Sequence, residues 1–323
     1  MDAEGESQTV TSYGEAPRDI DAVVHRIVHG GARFREPVVV DADVEQALRE
    51  LVELAPLHNA PALAALEDAE RAFPRLPHVA VFDTAFHATL PDVAATYALP
   101  ARWRSEWGIR RFGFHGLSVQ WAAEQVRVER LVVCHLGGGC SVTAVRDGRS
   151  VDTTMGFTPL EGVPMATRSG SIDPGILLHL WRHGVAFDDV DRALEHESGL
   201  LGLSGSSGDV RDLEASDEPA ADLALDVFTY RVGGAVAAMA AALGGLDALV
   251  FTAGIGEHSA RVRARVCEQL AFLGIQLDPT ANAGATTGAD ARIDTAHSAV
   301  QVAVVHARED VIAARLAQRV LHR

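Results

Sequence analysis

Apolar residues in this chain come in short blocks separated by glycine, proline and small polar residues. That rhythm predicts alternating strands and helices. Residues 20–29 (IDAVVHRIVH) read as a buried strand closed by Gly30-Gly31. Apolar spacings of three and four predict helices over 44–53 and 61–72, with APLHNAP as the turn between them. A short strand at 79–82 runs into Asp83-Thr84-Ala85-Phe86-His87. A helix over 119–126 and a strand over 131–136 follow, and the strand enters the turn Gly137-Gly138-Gly139-Cys140-Ser141. Residues 142–145 then return as the second arm of a hairpin, with Asp147-Gly148 as the next turn. Further on come a helix over 173–183 with Pro174 in its first turn, a polar Gly-rich loop at 204–212, and a long Ala-rich helix over 219–243. A strand at 248–252 ends in AGIGEH, and a helix over 260–272, a strand at 300–305 and a final helix from Asp310 complete the pattern.

Twice, at 131–139 and 248–257, a strand runs into a glycine turn. Such units belong to α/β folds that take ligands at the carboxyl ends of their strands. Between them, residues 151–175 (VDTTMGFTPLEGVPMATRSGSIDPG) break the pattern. This stretch is too punctuated for a helix, yet Phe157, Leu160, Val163 and Met165 anchor it. It reads either as a packed surface loop or as a substrate loop that holds Arg168 beside an anion.

Composition narrows the chemistry. The net charge of −16 argues against an extended nucleic-acid surface or an anionic membrane face. Lysine is absent, so all 28 basic side chains are arginine. A Walker-type phosphate loop needs its lysine and is excluded. Any phosphate must be met by guanidinium forks, backbone N–H groups and a metal. The three cysteines lack metal-ligand spacing and fit a reducing compartment. The acidic start MDAEGESQTV is no signal peptide, and the apolar stretch 235–249 is broken by Gly244-Gly245, so no membrane span is expected. The expected location is cytoplasmic.

Several residues each allow two readings. Arg26 inside an apolar strand is either half of a structural ion pair or an anion ligand at a strand end. Asp83 is a helix cap or a catalytic acid. His115, between Gly113 and Gly116, is a satisfied core histidine or a catalyst. Glu309-Asp310 either complement a helix dipole or bind a ligand.

Taken in order, the blocks HRIVHGG, LAPLHN, VAVFDTAFHATLP, RRFGFHG, HLGGG, DTTMGFTPLEGVPMATRSGSIDPG, GLSGSSGDVRDL, VFTAGIGEHSARVR and REDVIAA resemble the acetate kinase family from about Ile20 to the C-terminus. The resemblance implies an α/β fold of two actin-like ATPase (duplicated ribonuclease H-like) domains, the first one truncated. Domain one covers about 1–85 plus 311–323, and domain two covers 86–310. It implies reversible phosphoryl transfer from ATP to acetate, giving acetyl phosphate and ADP, with Mg²⁺, in a homodimer. The matching positions are Arg26 and Arg168 as clamps, His115 as the histidine that donates a hydrogen bond to the phosphoryl in transit, Asp83 and Glu309 as the acids that place Mg²⁺, and His58 in a lesser active-site role. Val28, Leu57, Phe114 and Pro159 match the acetate methyl pocket. His135, Gly137, Gly138, Gly139, Asp209, Val210, Arg211, Gly254, Ile255, Gly256 and His258 match the nucleotide side.

The chain departs from the family pattern in places. Family members open with a strand and a Ser-rich loop of the type NSGSSSxK, and nothing like it precedes Ile20. This predicts an incomplete first sheet with an unpaired edge, from a start placed too far downstream or from a shortened homologue. Gly138 and His258 stand where the family has Asn, Val210 where it has an aromatic, Ser171 where it has an acid, and Leu117 and Val119 where it has Thr and His. The segment between His115 and His135 is also short. The alternatives are therefore a non-catalytic homologue that binds acyl phosphate, or a kinase for propionate or butyrate.

Overall fold

Among the described residues nine strands form two sheets: β1 (Val23–Ile27), β2 (Val38–Val39), β3 (His78–Phe82), β4 (Arg130–Leu136), β5 (Cys140–Arg146), β6 (Arg149–Thr153), β7 (Ala248–Thr252), β8 (Ala291–Arg292) and β9 (Gln301–Val304). The helices that position the site are α1 (Ala42–Glu50), α2 (Pro56–Ala72), α3 (Gly116–Gln125), α4 (Pro174–Arg182), α5 (Pro219–Leu243), α6 (Ala253–His258) and α7 (Glu309–Leu321). The computed structural model describes residue 15, residues 19–285 and residues 288–322. Residues 1–17 lie outside them except for residue 15, and so do the side chains of Pro56 and Leu57.

The first sheet has the order β1-β3-β2, with β1 parallel and β2 antiparallel to β3. All five residues of β3 are buried, because both faces of the sheet are covered. Ala80 and Phe82 join Ile27, Leu48, Leu63 and Leu66 on the face under α1 and α2. Val79 and Val81 join Leu117, Ile312 and Ala317 on the face under α3 and α7. The period of two along β3 thus packs the C-terminal helix against the N-terminal sheet.

The second sheet runs β6-β5-β4-β7-β9-β8. In chain order this is third, second, first, fourth, sixth, fifth, with β8 antiparallel at the edge. The first three strands form antiparallel hairpins, whereas β4, β7 and β9 are parallel. Val132, Cys134, Leu136, Leu249 and Phe251 face the helix α5 side, and Leu131, Val133, Ala248 and Val250 face α3. By length and composition α5 could cross a membrane, but its Leu225, Phe228, Val232 and Val236 are buried in the main core.

Most predicted elements are present, with corrections. The expected strand 20–29 is ordered as a strand only over Val23–Ile27. The predicted turn APLHNAP is instead the start of α2, with Pro61 inside the helix. Asn59 explains this: its Oδ1 accepts from His29 N at 3.0 Å, and its Nδ2 donates to His29 O at 3.1 Å and Leu51 O at 3.2 Å. These tertiary bonds hold the helix where proline removes an internal one. The helix predicted over 44–53 splits into α1 and a 3₁₀ turn, Leu51–Leu54. The predicted loop 151–175 gives its first residues to β6 and its last two to α4, leaving 154–173 irregular. The turn after β7 is the short helix α6, and the polar loop 204–212 ends in the helix Val210–Glu214.

Candidate active site

Parallel pairing of β1 and β3 puts their carboxyl ends together, and Asp83 N donates to Ile27 O at 3.0 Å. Arg26 then grips Asp83 with both arms, Nε to Oδ1 at 2.9 Å and Nη2 to Oδ2 at 2.6 Å. A third guanidinium nitrogen, Nη1, lies 3.1 Å from Glu309 Oε2 at the start of α7. Asp83 is 1% exposed while Arg26 keeps 43% of its side chain open to solvent. Thr84, not Asp83, is the N-cap of the next turn, so Asp83 caps no helix.

The electrostatics follow from two carboxylates sharing one guanidinium. Burial alone would lower the Arg26 pKa, but Asp83 and then Glu309 more than offset it and the guanidinium stays charged. Burial raises Glu309 to about 7; Arg26 opposes that shift, while Asp83 and Asp310 add to it.

His115 sits in the left-handed region at φ 59° and precedes α3. Gly116 N donates to Asp83 O at 2.9 Å, and a Cβ on Gly116 would stand 2.2 Å from that oxygen. Only glycine lets α3 start against the end of β3. His115 stacks on His135 of β4 with ring centroids 3.9 Å apart, and their Nδ1 atoms face Ser141 Oγ at 3.0 Å and Ser118 Oγ at 2.8 Å. Burial first, then His135, Arg26 and Arg168, hold the His115 pKa well below 6.5. Burial and Arg26 bring His135 to about 3. Both rings are neutral.

Arg168 arrives from the long loop. Its neighbours are pinned to the helix Phe187–His196: Ser169 N donates to Leu194 O at 3.0 Å and Thr167 Oγ1 to Glu195 O at 2.8 Å. Its own Nη1 donates to Pro159 O at 2.7 Å. A Cβ on Gly139 would lie 2.7 Å from Arg168 Nη2 and 3.3 Å from His115 Nε2. The bare glycine backbone is therefore the floor on which guanidinium and imidazole meet. Half-buried His58 has its pKa lowered by burial, then by Arg168 and Arg26, with Asp83 opposing, so it lies within the field of the same group.

Around these polar groups, Val28 packs against the core that contains Phe114, and Pro159 is buried. On the other side the Gly137–Gly139 turn closes the β4–β5 hairpin, with Gly137 N donating to Gly139 O at 3.0 Å. An added Cβ on Gly137 would be 3.6 Å from Ala253 Cβ, so this turn abuts α6, which carries Gly254, Ile255 and Gly256. Buried Arg263 fastens α6 by donating to Gly256 O at 2.9 Å and Glu257 O at 2.7 Å. His258 Nδ1 faces Gly254 O at 2.9 Å. Asp209 accepts from Arg211 N at 2.9 Å, the Arg211 side chain is 86% exposed, and Val210 is buried in the core. A cavity of about 620 Å³, lined by Asp152, Tyr230 and Phe272 among others, lies apart from this cleft.

One cleft thus holds two arginines, two neutral histidines, two acids and two glycine-rich strand ends, a set suited to moving a phosphoryl group. Comparison with known proteins decides the family. The acetokinase family model matches residues 7–315.

The chain belongs to the acetokinase family.

Its similarity to acetokinase family members is extensive. Acetate kinase of Deinococcus deserti is 51% identical over 315 residues, 94% of this chain and 78% of the relative. Acetate kinase of Synechococcus sp. (strain JA-2-3B'a(2-13)) is 48% identical over 314 residues, 94% of this chain and 77% of the relative. Among solved structures, Porphyromonas gingivalis acetate kinase has a TM-score of 0.87 at 38% identity and covers 97% of this chain and 80% of its own. A propionate kinase from Francisella tularensis gives a TM-score of 0.86 at 38% identity, covering 92% and 78%. The two-lobed α/β structure is accordingly the actin-like ATPase fold, and the chain is a phosphotransferase of the acetokinase family.

Sequence reading missed several residues on which this acetokinase site depends. Asn59, Ser118, Ser141 and Glu257 each make their key bond to a partner 17 to 50 residues away. For Asn59 the only available signal was its place beside His58 in LAPLHN.

Proposed function

We propose that this chain catalyses reversible, Mg²⁺-dependent transfer of the γ-phosphoryl of ATP to acetate, giving acetyl phosphate and ADP. The observation that supports it best is the convergence of Arg26, Asp83, His115, Arg168 and Glu309 at the carboxyl ends of β1, β3 and β4. An acetate oxygen attacks the γ-phosphorus, the bond to the bridging oxygen breaks, and ADP leaves with the electron pair. Charge spreads over the equatorial oxygens during transfer. Arg168 and Arg26 supply fixed positive charge for acetate and phosphoryl together, which no lysine in this chain could do. Neutral His115 can donate through one nitrogen only. With the Ser141 hydroxyl donating to Nδ1, the proton sits on Nε2, which faces Gly139 and Arg168.

Asp83 and Glu309 fit a magnesium ion. Two carboxylates around one guanidinium leave net negative charge, and oxygen donors are what this hard cation takes. Among the described residues no three His, Cys, Asp or Glu side chains gather to form a full protein cage. That agrees with a cation held by one or two carboxylates plus phosphate oxygens. Bound there, it would neutralise phosphate charge. The glycine turns at Gly137–Gly139 and Gly254–Gly256 would take the nucleotide, with backbone N–H groups near its phosphates.

A second reading, propionate as substrate, is favoured by the likeness to the Francisella propionate kinase. An apolar pocket discriminates a methylene by only about 1–3 kcal/mol, so propionate serves as a poorer substrate. We further take the protein to be a cytoplasmic homodimer. Helix α4 buries none of its residues although Ile176, Leu177, Leu178, Leu180 and Trp181 are apolar, and Ile172 and Phe187 beside it are exposed.

The test is hydroxamate trapping of acyl phosphate from Mg²⁺-ATP and acetate, with Arg168→Ala as control. Product that falls by roughly 10³-fold or more in the control supports the reading. No product from folded wild type overturns it. Comparing kcat/KM for acetate, propionate and butyrate decides between the two acids.

A further inference from the structure

Glu257 is 5% exposed and belongs to AGIGEH, yet it does not face the cleft as an unpaired acid. Its Oε1 accepts from two backbone donors in different parts of the chain, Ala253 N at 2.9 Å and Ala307 N at 2.9 Å. Its Oε2 lies 2.5 Å from His306 Nδ1. A carboxylate only accepts, so the histidine donates there.

Each partner is placed to matter. Ala253 opens α6 directly after β7, with φ 65°, a left-handed conformation that is costly for a residue with a Cβ. It leads directly into Gly254, Ile255 and Gly256. Ala307 stands two residues before Glu309, which pairs with Arg26. The segment around it is fixed on its other side, where His306 N donates to Asp290 Oδ1 at 2.8 Å and Trp121 Nε1 donates to His306 O at 2.8 Å.

We infer that Glu257 is a positioning residue that locks the nucleotide turn after β7 to the segment that launches Glu309. One buried oxygen holds both the strained entry to the nucleotide side and the approach to the acid on the phosphoryl side. Ordering the turn by nucleotide therefore orders the Glu309 approach, and the coupling is reciprocal. The inference rests on the phosphoryl-transfer reading and names a residue outside the groups that touch substrate.

Hydrogen exchange on the unmodified chain tests it, with and without saturating ADP and in the absence of metal. ADP is expected to raise amide protection at Ala307 along with Ala253, by roughly ten-fold, the weight of a hydrogen bond to a charged group. Protection that rises at Ala253 alone overturns the inference. Variants give a second readout by calorimetry. Glu257→Leu is expected to weaken ADP roughly ten-fold and to raise the half-saturating Mg²⁺ concentration in parallel, with KM for acetate unchanged. Glu257→Gln regains most of the affinity, because its amide oxygen can accept from both N–H groups. A Glu257→Leu chain that binds ADP like wild type overturns the inference alone. If that variant fails to fold, the exchange data on the unmodified chain decide. A wild-type chain that binds no ADP overturns the phosphoryl-transfer reading as well.

Discussion

At Gly139 a single hydrogen in place of a methyl group decides where a guanidinium can stand. A Cβ there would meet Arg168 Nη2, at the far end of a long side chain, at 2.7 Å. Gly139→Ala is thus cheap for the fold and costly for the site. We expect kcat/KM to fall at least about ten-fold, because small misplacements of a charge-stabilising group are expensive. The thermal midpoint should stay close to wild type, and calorimetry beside steady-state kinetics checks both. Ser141 works through His115. Ser141→Ala removes the bond that sets the imidazole tautomer, and we expect kcat to drop about ten-fold while KM for ATP holds. Ser141→Thr, which restores a hydroxyl, is expected to recover activity; failure to do so would count against the tautomer argument. Arg26, Asp83, His115 and Arg168 were legible in the sequence because each sits in a long, distinctive block. Ser141 and Glu257 were not, since their roles exist only once distant segments meet.

Among the elements, the seam between the two sheets is stitched by neutral histidines. His87 Nε2 donates to Phe114 O at 2.9 Å while its Nδ1 faces Ser150 Oγ at 2.8 Å. His29 donates from Nε2 to Phe157 O at 3.1 Å, accepts from Gly31 N at 2.9 Å, and meets Phe112 and Phe114 edge-on. Burial, only partly opposed by those carbonyl bonds, lowers each from 6.5 to about 4. The unfolded chain takes up protons near pH 6.5 that the folded chain refuses until about pH 4. Their stabilisation is whole above pH 6.5 and drains away as pH falls toward 4, at roughly 3 kcal/mol per pH unit for the pair. Urea midpoints between pH 7.5 and 5 check this, and a flat profile would contradict it. His87→Gln is expected to give a shallower slope. The elements themselves show what sequence pattern can carry. The short apolar strand at 79–82 and the 219–243 helix were plain, but residues 55–61 read as a turn with Pro61 at its end, because the bonds of Asn59 to His29 lie outside any local window.

For the molecule as a whole, the exposed apolar helix α4 predicts self-association. Replacing Ile176 and Trp181 together by Asp should convert a species of twice the chain mass into a monomer in sedimentation, with little change in far-ultraviolet dichroism. A wild-type chain that sediments as a monomer at micromolar concentration would refute the dimer. The α/β class was readable from the order of strands and glycine turns, whereas the grouping of the last helix with the first 85 residues rested on the family resemblance alone, because α7 and the first sheet join residues near opposite ends of the chain. The lysine-free composition bears on the enzyme's own survival. Acetyl phosphate, the product we propose, is a mixed anhydride, and it acylates unprotonated amines. A guanidinium stays protonated and is no such nucleophile. By meeting every phosphate with arginine, the chain offers no ε-amine to the electrophile it would make, and it can sit in its own product without being labelled at a single side-chain amine.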